Sequence, residues 1–468
     1  MGDTQRSPTI SPENQGIAAK AAGDSGQSDA GPSGDVPPLF EGESSLLRIE
    51  MLAESEPELV FTSVVDRIDY YLLKKSFRQI RKKKSAGVDK ITAKQYAKDL
   101  DENLYNLYQR LRRGQYVATP VRRIWIDKEG GKFRPIGIPA LEDKIVQRAA
   151  STILNVIYDV NFYDFFSHAF RKGHSQHKAI HQIREDCRKL NIGWIVSADI
   201  EGLFDNIDHN LLREFIKRRV NDGGMLRLIG KWLNAGVMEE GILSYPGKGV
   251  PQGGVISPVL SNIFLHYVLD EWFVKQALPR MQGKCFIIRY ADDFIIGCEF
   301  KSDAKRIMNV LPKRFNEYGL ALHADKTAVV DFRRPPLKEK GKGKGTFDFL
   351  GFTFYWSKSL RGYWVIKKKT IGKRLSRYMK RLWQWCRENR HEPIKEQYLV
   401  LCTKLRGYYL YFGVRGNYKP LEVVYEHAEK AWRFWLSRRS HKGGISWEKF
   451  EKIRASFPLP QPRIVHNI

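Results

Sequence analysis

Residues 285–300 read CFIIRYADDFIIGCEF. Two runs of apolar, β-favouring residues flank the triplet Ala291-Asp292-Asp293, and the arms predict a pair of strands that would be buried. Tight hairpin turns are usually made by Asn-Gly or Asp-Gly, and this one has neither. Two ionised acids side by side repel each other and are costly to desolvate unless positive charge lies against them. A third acid, Asp199, ends the apolar run WIVSAD. If the two segments are neighbours in one sheet, three carboxylates converge. Mg²⁺ takes hard oxygen ligands, usually one or two carboxylates with water and phosphate completing the shell. Two such ions, about 4 Å apart, can clamp the attacking and leaving oxygens of an in-line phosphoryl transfer. The expected cofactor is therefore a pair of Mg²⁺ ions, with Mn²⁺ as a substitute. An exposed acidic turn would carry the same letters, and the hairpin alone leaves both readings open.

The charge balance narrows the partners. Lys and Arg number 79 against 52 Asp and Glu, a formal net charge of +27, and aromatics make up 12% of 468 residues. A basic, aromatic-rich chain of this length has a polyanion as its simplest partner. The five cysteines (Cys187, Cys285, Cys298, Cys386, Cys402) form no Cys-x-x-Cys pair and are odd in number. That argues against a zinc ribbon or a secreted disulfide framework and for a reducing compartment. No apolar run approaches the ~20 residues of a membrane span, and no signal pattern opens the chain. The expected location is the cytoplasm, on the nucleoid when DNA is the substrate.

Along the chain, residues 1–44 are rich in Gly, Ser, Pro and Asp and are expected to be disordered. VFTSVVDRIDYYLLKKSFRQIRKKKSAG predicts a helix ending in a basic cluster. VATPVRRIWIDKEGGKFRPIGIPA predicts a strand, a turn at Gly130-Gly131 and a returning strand. Helices are expected over about 141–160, 175–190 and 209–236, with a strand between the last two. YPGKGVPQGGVISPVLSNIF reads as a Gly/Pro-rich loop entering a helix. After the acidic hairpin come a helix, a strand, a Lys/Gly-rich connector and the β-rich TFDFLGFTFYW. The last hundred residues predict basic helices, with the run 367–385 among them. The mixture is α+β.

RYADDF, SADIEGLFDNIDH and GVPQGGVISPVLSNIFL, in this order and spacing, resemble the reverse transcriptase family, and most closely the proteins encoded by group II introns. The resemblance runs from about residue 80 to the mid-430s. It implies a right-hand polymerase, with fingers and palm over 45–355, a helical thumb and maturase domain (domain X) over 356–440, and a short tail over 441–468. It implies that Asp199 and Asp292 hold metal, that Asp293 supports them, and that the carbonyl of Ile200 completes one site. Phe204 would lie under the sugar of the incoming nucleotide and exclude a 2′-hydroxyl. Lys128 and Arg134 would hold the triphosphate, Arg as a planar fork and Lys as a point charge. Gln252 would touch nucleotide and template, and Gly253 would let backbone approach nucleic acid. Lys326 would stand near the leaving pyrophosphate. Tyr290 belongs to the acidic motif, Leu350 and Gly351 to the turn that grips the primer end, and Arg171 to a template-contacting segment. In that segment, FRKGHSQHKAI, Lys172 and His174 replace the expected Pro and Arg.

The basic end adds RNA contacts to the expectation. Lys367, Lys368, Lys369 and Arg406 (in KLRGYYLYFG, similar to the aromatic signature of domain X) are candidates for phosphate contact. The implied partners are a structured intron RNA, an RNA template with a DNA primer, dNTPs and target DNA. Family members often carry an HNH endonuclease with paired cysteines. After residue 440 no cysteine remains, so that domain is expected to be absent and priming to use an existing 3′ end. The implied function is RNA-directed DNA synthesis with maturase activity in splicing and retrohoming. The alternatives are a related enzyme recruited to CRISPR adaptation or phage defence, a retron enzyme, and a splicing cofactor without polymerase activity. The intact acids, Phe204 and Gln252 argue against the last.

Overall fold

The computed structural model describes residues 41–80, 85–127, 133–163, 166–339, 343–439 and 444–468. Nearly all of the 1–44 stretch lies outside these, although a helix, Glu41–Ser55, already begins within it. Gly42–Ile468 forms one unit. Among the described residues its strands are β1 (Val121–Asp127), β2 (Phe133–Ile138), β3 (Trp194–Glu201), β4 (Val237–Glu239), β5 (Ile242–Ser244), β6 (Cys285–Tyr290), β7 (Asp293–Cys298), β8 (Ala321–Leu322), β9 (Ala328–Asp331), β10 (Thr346–Phe349), β11 (Phe352–Lys358) and β12 (Trp364–Thr370).

The central sheet runs β6-β7-β3-β8, with β9 also paired to β3, and its pairings are antiparallel. Its apolar runs are explained by burial on both faces. Val196, Ala198, Ile200, Ile287, Phe294 and Ile296 face a helical core that includes the helices Leu141–Asp159 and Ser257–Leu265. Ile195, Phe286, Ile288 and Ile295 alternate with them. They face a second core, made with the helix Gln176–Lys189 and the antiparallel sheet β10-β11-β12. A smaller sheet, β2-β1-β4-β5, is antiparallel except for the parallel pair β1–β4. It carries the predicted β1–β2 hairpin, whose turn lies outside the described residues.

A third core joins the helices Gly372–Glu388, Ile394–Phe412, Tyr418–Leu436 and Trp447–Ser456. The last of these buries Phe450, so the expected tail packs against the helical unit. Its continuation returns to the rest of the chain, where Val465 and His466 amides donate to Gly413 at 2.7 and 2.9 Å.

Several local expectations are corrected. The basic helix predicted over 367–385 starts at Gly372. Residues 367–369 lie on β12, where Trp364, Ile366, Lys368 and Thr370 alternate inward. The helix expected over 209–236 is two helices, His209–Lys217 and Gly223–Leu233. The break is built by buried Asp222, whose carboxylate caps the second helix at the Gly224 and Met225 amides and also holds the Val64 and Val65 amides. Upstream, among the described residues of the long predicted helix, Tyr70–Gln79 is the α-helical part. The cysteines are free, and among the described residues no helix is long and apolar enough to cross a membrane.

Candidate active site

The β6–β7 hairpin closes on the pair Tyr290–Asp293, leaving Ala291 and Asp292 as the two turn residues. Ala291 takes a left-handed φ of 58°, a position where such turns usually place glycine. The turn tolerates this because its base is fixed. Arg289, fully buried, donates from Nε and Nη2 to both oxygens of Asp270 at 2.8 and 2.5 Å. It also reaches Asn262 Oδ1 and Ser167 Oγ. Asp270 lies where the helix after Leu265 widens into π-helical turns. Insertions of this kind re-aim a helical face.

The register sets Asp199 directly opposite Asp293, and the Ile200 amide donates to the Asp292 carbonyl at 3.3 Å. Like charges opposed across a ladder are unfavourable. Burial raises the Asp292 carboxyl above its usual range, with the charge of Asp199 adding to it; Arg134 and Lys326 oppose the shift. Burial, then Asp199 and Asp292, push Asp293 up to about 7. The Leu350 amide and the Lys326 charge oppose this rise. Lys326, expected beside a leaving group, instead places its ammonium on the Asp199 carboxylate.

Beside the acids opens a cleft of about 410 Å³, within the size range of small-ligand sites. Its walls bring together Arg134, Phe204, Gln252, Gly253, Tyr290, Asp292, Asp293 and Leu350 from segments far apart in sequence. Arg134, on β2, donates from Nε to Gln252 Oε1 at 2.6 Å. Phe204 is half-buried on the short turn Leu203–Asn206, which follows β3 through Gly202, and the Val250 amide donates to its carbonyl at 2.6 Å. Leu350 and Gly351 have φ of 48° and 87° between the paired Phe349 and Phe352. Positive φ at both central residues is the twist-matched two-residue turn, and it places Leu350 on the wall of the cleft that Asp293 also lines.

Other candidates lie elsewhere or act differently. Gly253 has φ 105°, and a Cβ there would stand 2.6 Å from the Gly137 carbonyl. Its glycine is thus required by contact with β2, where Gly137 donates to the Gln252 carbonyl at 2.6 Å. Arg171 is buried and committed inward, to Asp159 Oδ1 at 2.6 Å and the Ser167 carbonyl at 3.0 Å, so it supports the wall rather than facing a template. Its neighbour Phe170 is exposed, has φ 60° and lines the cleft. Lys368 is buried, donates to the Ile468 carbonyl at 2.8 Å and is lowered to about 8 by burial. Lys367 donates to the Lys358 carbonyl, whereas Lys369 and Arg406 are exposed. Lys128 lies outside the described residues. Sequence reasoning missed Arg289 and Asp270 as a buried pair; an arginine inside an otherwise apolar strand was the available signal.

Among the described residues no three His, Cys, Asp or Glu side chains close around one point as a preformed metal cluster. The donor set fits a hard divalent ion nonetheless. Such an ion needs only one or two carboxylates beside main-chain, water and phosphate oxygens. Asp199 and Asp292 would supply them, and the charge of Asp199 raises the Asp292 carboxyl.

Residues 126–354 match the family described as reverse transcriptase (RNA-dependent DNA polymerase). The chain is 34% identical to protein YkfC of Escherichia coli over 238 residues, 45% of this chain and 62% of that protein. It is 40% identical to the group II intron-encoded protein LtrA of Lactococcus lactis over 176 residues, 37% of this chain and 29% of that protein. It is 31% identical to a putative COX1/OXI3 intron 1 protein of Saccharomyces cerevisiae over 286 residues, 51% of this chain and 34% of that protein. The chain thus spans less than two thirds of the length of each of these relatives. The matched segment contains β2, the three acids, Phe204, Gln252 and the Leu350 turn, so the cleft and its acids lie within the part of the chain that matches the reverse transcriptase family, and its relatives include group II intron-encoded proteins.

Proposed function

We propose that this chain is an RNA-directed DNA polymerase that also binds intron RNA as a maturase and acts in retrohoming. The observation that carries the reading is the convergence of Arg134, Gln252, Phe204 and Leu350 on one cleft beside three mutually repelling carboxylates. In this reading the central sheet is the palm, β1–β2 the fingers, and the helices from Gly372 onward the thumb and domain X.

Asp199 and Asp292, with the Ile200 carbonyl, would hold Mg²⁺, and a bound divalent ion supplies charge against the phosphate and the attacking hydroxyl. The residues of the chain do the rest. Arg134 offers a fork to triphosphate oxygens and, by its bond to Gln252, is pre-set at the cleft wall. Phe204 forms the floor under the sugar and excludes a 2′-hydroxyl. Asp293, whose carboxyl the Leu350 amide lowers, stands between the acidic turn and the primer-gripping turn on one cleft wall. Lys326 balances Asp199 until phosphate enters. Exposed Lys369 and Arg406, with the net charge of +27, suit a long polyanion. The names of the intron-encoded relatives support intron RNA as that polyanion.

RNA-templated extension of a DNA primer by the full chain, with dNTPs and Mg²⁺, tests the reading. The expected result is full-length cDNA. Extension on DNA templates but not on RNA would overturn it.

A further inference from the structure

The sequence KLRGYYLYFG invites an outward reading, as aromatics on an RNA-facing helix. The structure turns one of them inward. Tyr411, near the end of the helix Ile394–Phe412, donates its hydroxyl to the Leu350 carbonyl at 2.9 Å. Leu350 lines the same cleft as Asp292 and Asp293, and its amide opposes the rise of the Asp293 carboxyl. Tyr411 is itself held by two neighbours, one of them backed in turn by the C-terminal segment. Its carbonyl is bonded to His177 Nε2 at 2.8 Å, its ring lies parallel to that of Phe352 at 6.1 Å, and His177 stacks at 3.7 Å on His466 of the returning C-terminal segment. His466 Nε2 is in turn 2.8 Å from the Leu410 carbonyl.

The geometry points to Tyr411 as a positioning residue of the polymerase centre, acting through Leu350 on Asp293. This rests on the polymerase reading above. A two-residue turn with both residues at positive φ has little freedom except rotation of its peptide planes. The bond from Tyr411 to the Leu350 carbonyl pins the plane that follows Leu350, and with it the turn that shares the cleft wall with Asp293. The C-terminal helical unit therefore does more than hold RNA: it sets the turn that faces the primer end. A strap of this kind couples docking of the helical unit to the geometry of the acids, because loss of the His177–Tyr411–His466 contacts releases the hydroxyl from Leu350.

The experiment is single-nucleotide primer extension on RNA under single-turnover conditions, comparing the full chain with Tyr411→Phe and Tyr409→Phe. Tyr409→Phe is the matched control: it lies in the same helix and removes a buried hydroxyl that has no hydrogen-bond partner among the described residues. Tyr411→Phe keeps the ring and is expected to lower the maximal rate about five-fold, the scale of one lost hydrogen bond. The dNTP concentration for half-maximal rate, the melting temperature and RNA affinity should not change. Tyr409→Phe should retain the wild-type rate. Equal rates for wild type and Tyr411→Phe, or equal losses in both variants with lowered melting temperatures, would overturn the positioning role while leaving the polymerase reading intact. Absence of extension by the folded wild type would overturn that reading, and the proposal with it.

Discussion

Arg134 Nε lies 2.6 Å from Gln252 Oε1, a bond between residues 118 apart in sequence. It ties the β1–β2 hairpin to the glycine-rich loop before the helix Ser257–Leu265, and both residues line the cleft.

If the bond pre-sets Arg134 for triphosphate, Arg134→Ala should raise the dNTP KM at least ten-fold, with a smaller effect on kcat. Gln252→Ala should cost less. The double variant should fall short of the product of the two single effects, as expected for contacting residues. Steady-state kinetics on a homopolymer RNA template measures the cycle, and strict multiplicativity would remove the coupling.

Phe204 lines the same cleft as Asp292. Phe204→Ala should admit ribonucleotides, lowering dNTP-over-rNTP discrimination by more than ten-fold at little change in dNTP use. Competitive incorporation assays read this directly, and undiminished discrimination would place the barrier elsewhere.

Arg289 and Asp270 are both fully buried and paired in two bonds. Asp270→Ala would leave a guanidinium without its counter-charge and should destabilise the fold by about 3–5 kcal/mol. Chemical denaturation measures it. Arg289→Met combined with Asp270→Leu should cost less than Asp270→Ala alone, because no buried charge is then stranded.

His266 predicts an acid-labile fold. Burial lowers it to about 4, with Arg289 adding to the shift and Asp270 opposing it. In the unfolded chain a histidine titrates near 6.5. Between these values the unfolded state binds a proton that the folded state refuses, so stability falls as pH falls from about 6.5 to about 4 and is fully present above 6.5. A gap of this size is worth roughly 3 kcal/mol. His266→Gln should flatten that limb of the stability–pH curve, and an unchanged slope would assign it to other groups.

The parts legible in the sequence were those whose pattern is local. The apolar arms around Asp292 and Asp293, the strand ending at Asp199 and the hairpin bearing Arg134 could be read because strand periodicity and apolar runs are short-range signals. What escaped depended on distant partners. Lys368 looked like part of a basic helix, but β12 alternates Trp364, Ile366, Lys368 and Thr370 inward, and its ammonium is satisfied by a carbonyl 100 positions away. The break between His209–Lys217 and Gly223–Leu233 depends on Asp222 meeting Val64 and Val65, a contact no window of sequence contains. Arg171 matched a motif for template contact, yet Asp159 takes its guanidinium. The bond from Tyr411 to the Leu350 carbonyl leaves no mark in the sequence, because helical aromatics look alike until their neighbours are known.

The most direct test of the account replaces one oxygen. Asp292→Asn keeps size and polarity at the hairpin turn and removes a carboxylate that burial and Asp199 hold above its usual range. Primer extension on an RNA template with Mg²⁺ should fall by at least 10³-fold, as expected when a group that stabilises charge in the transition state is removed, while melting temperature and RNA affinity match the wild type. Extension within a few-fold of wild type would contradict the assignment of this turn as the catalytic centre.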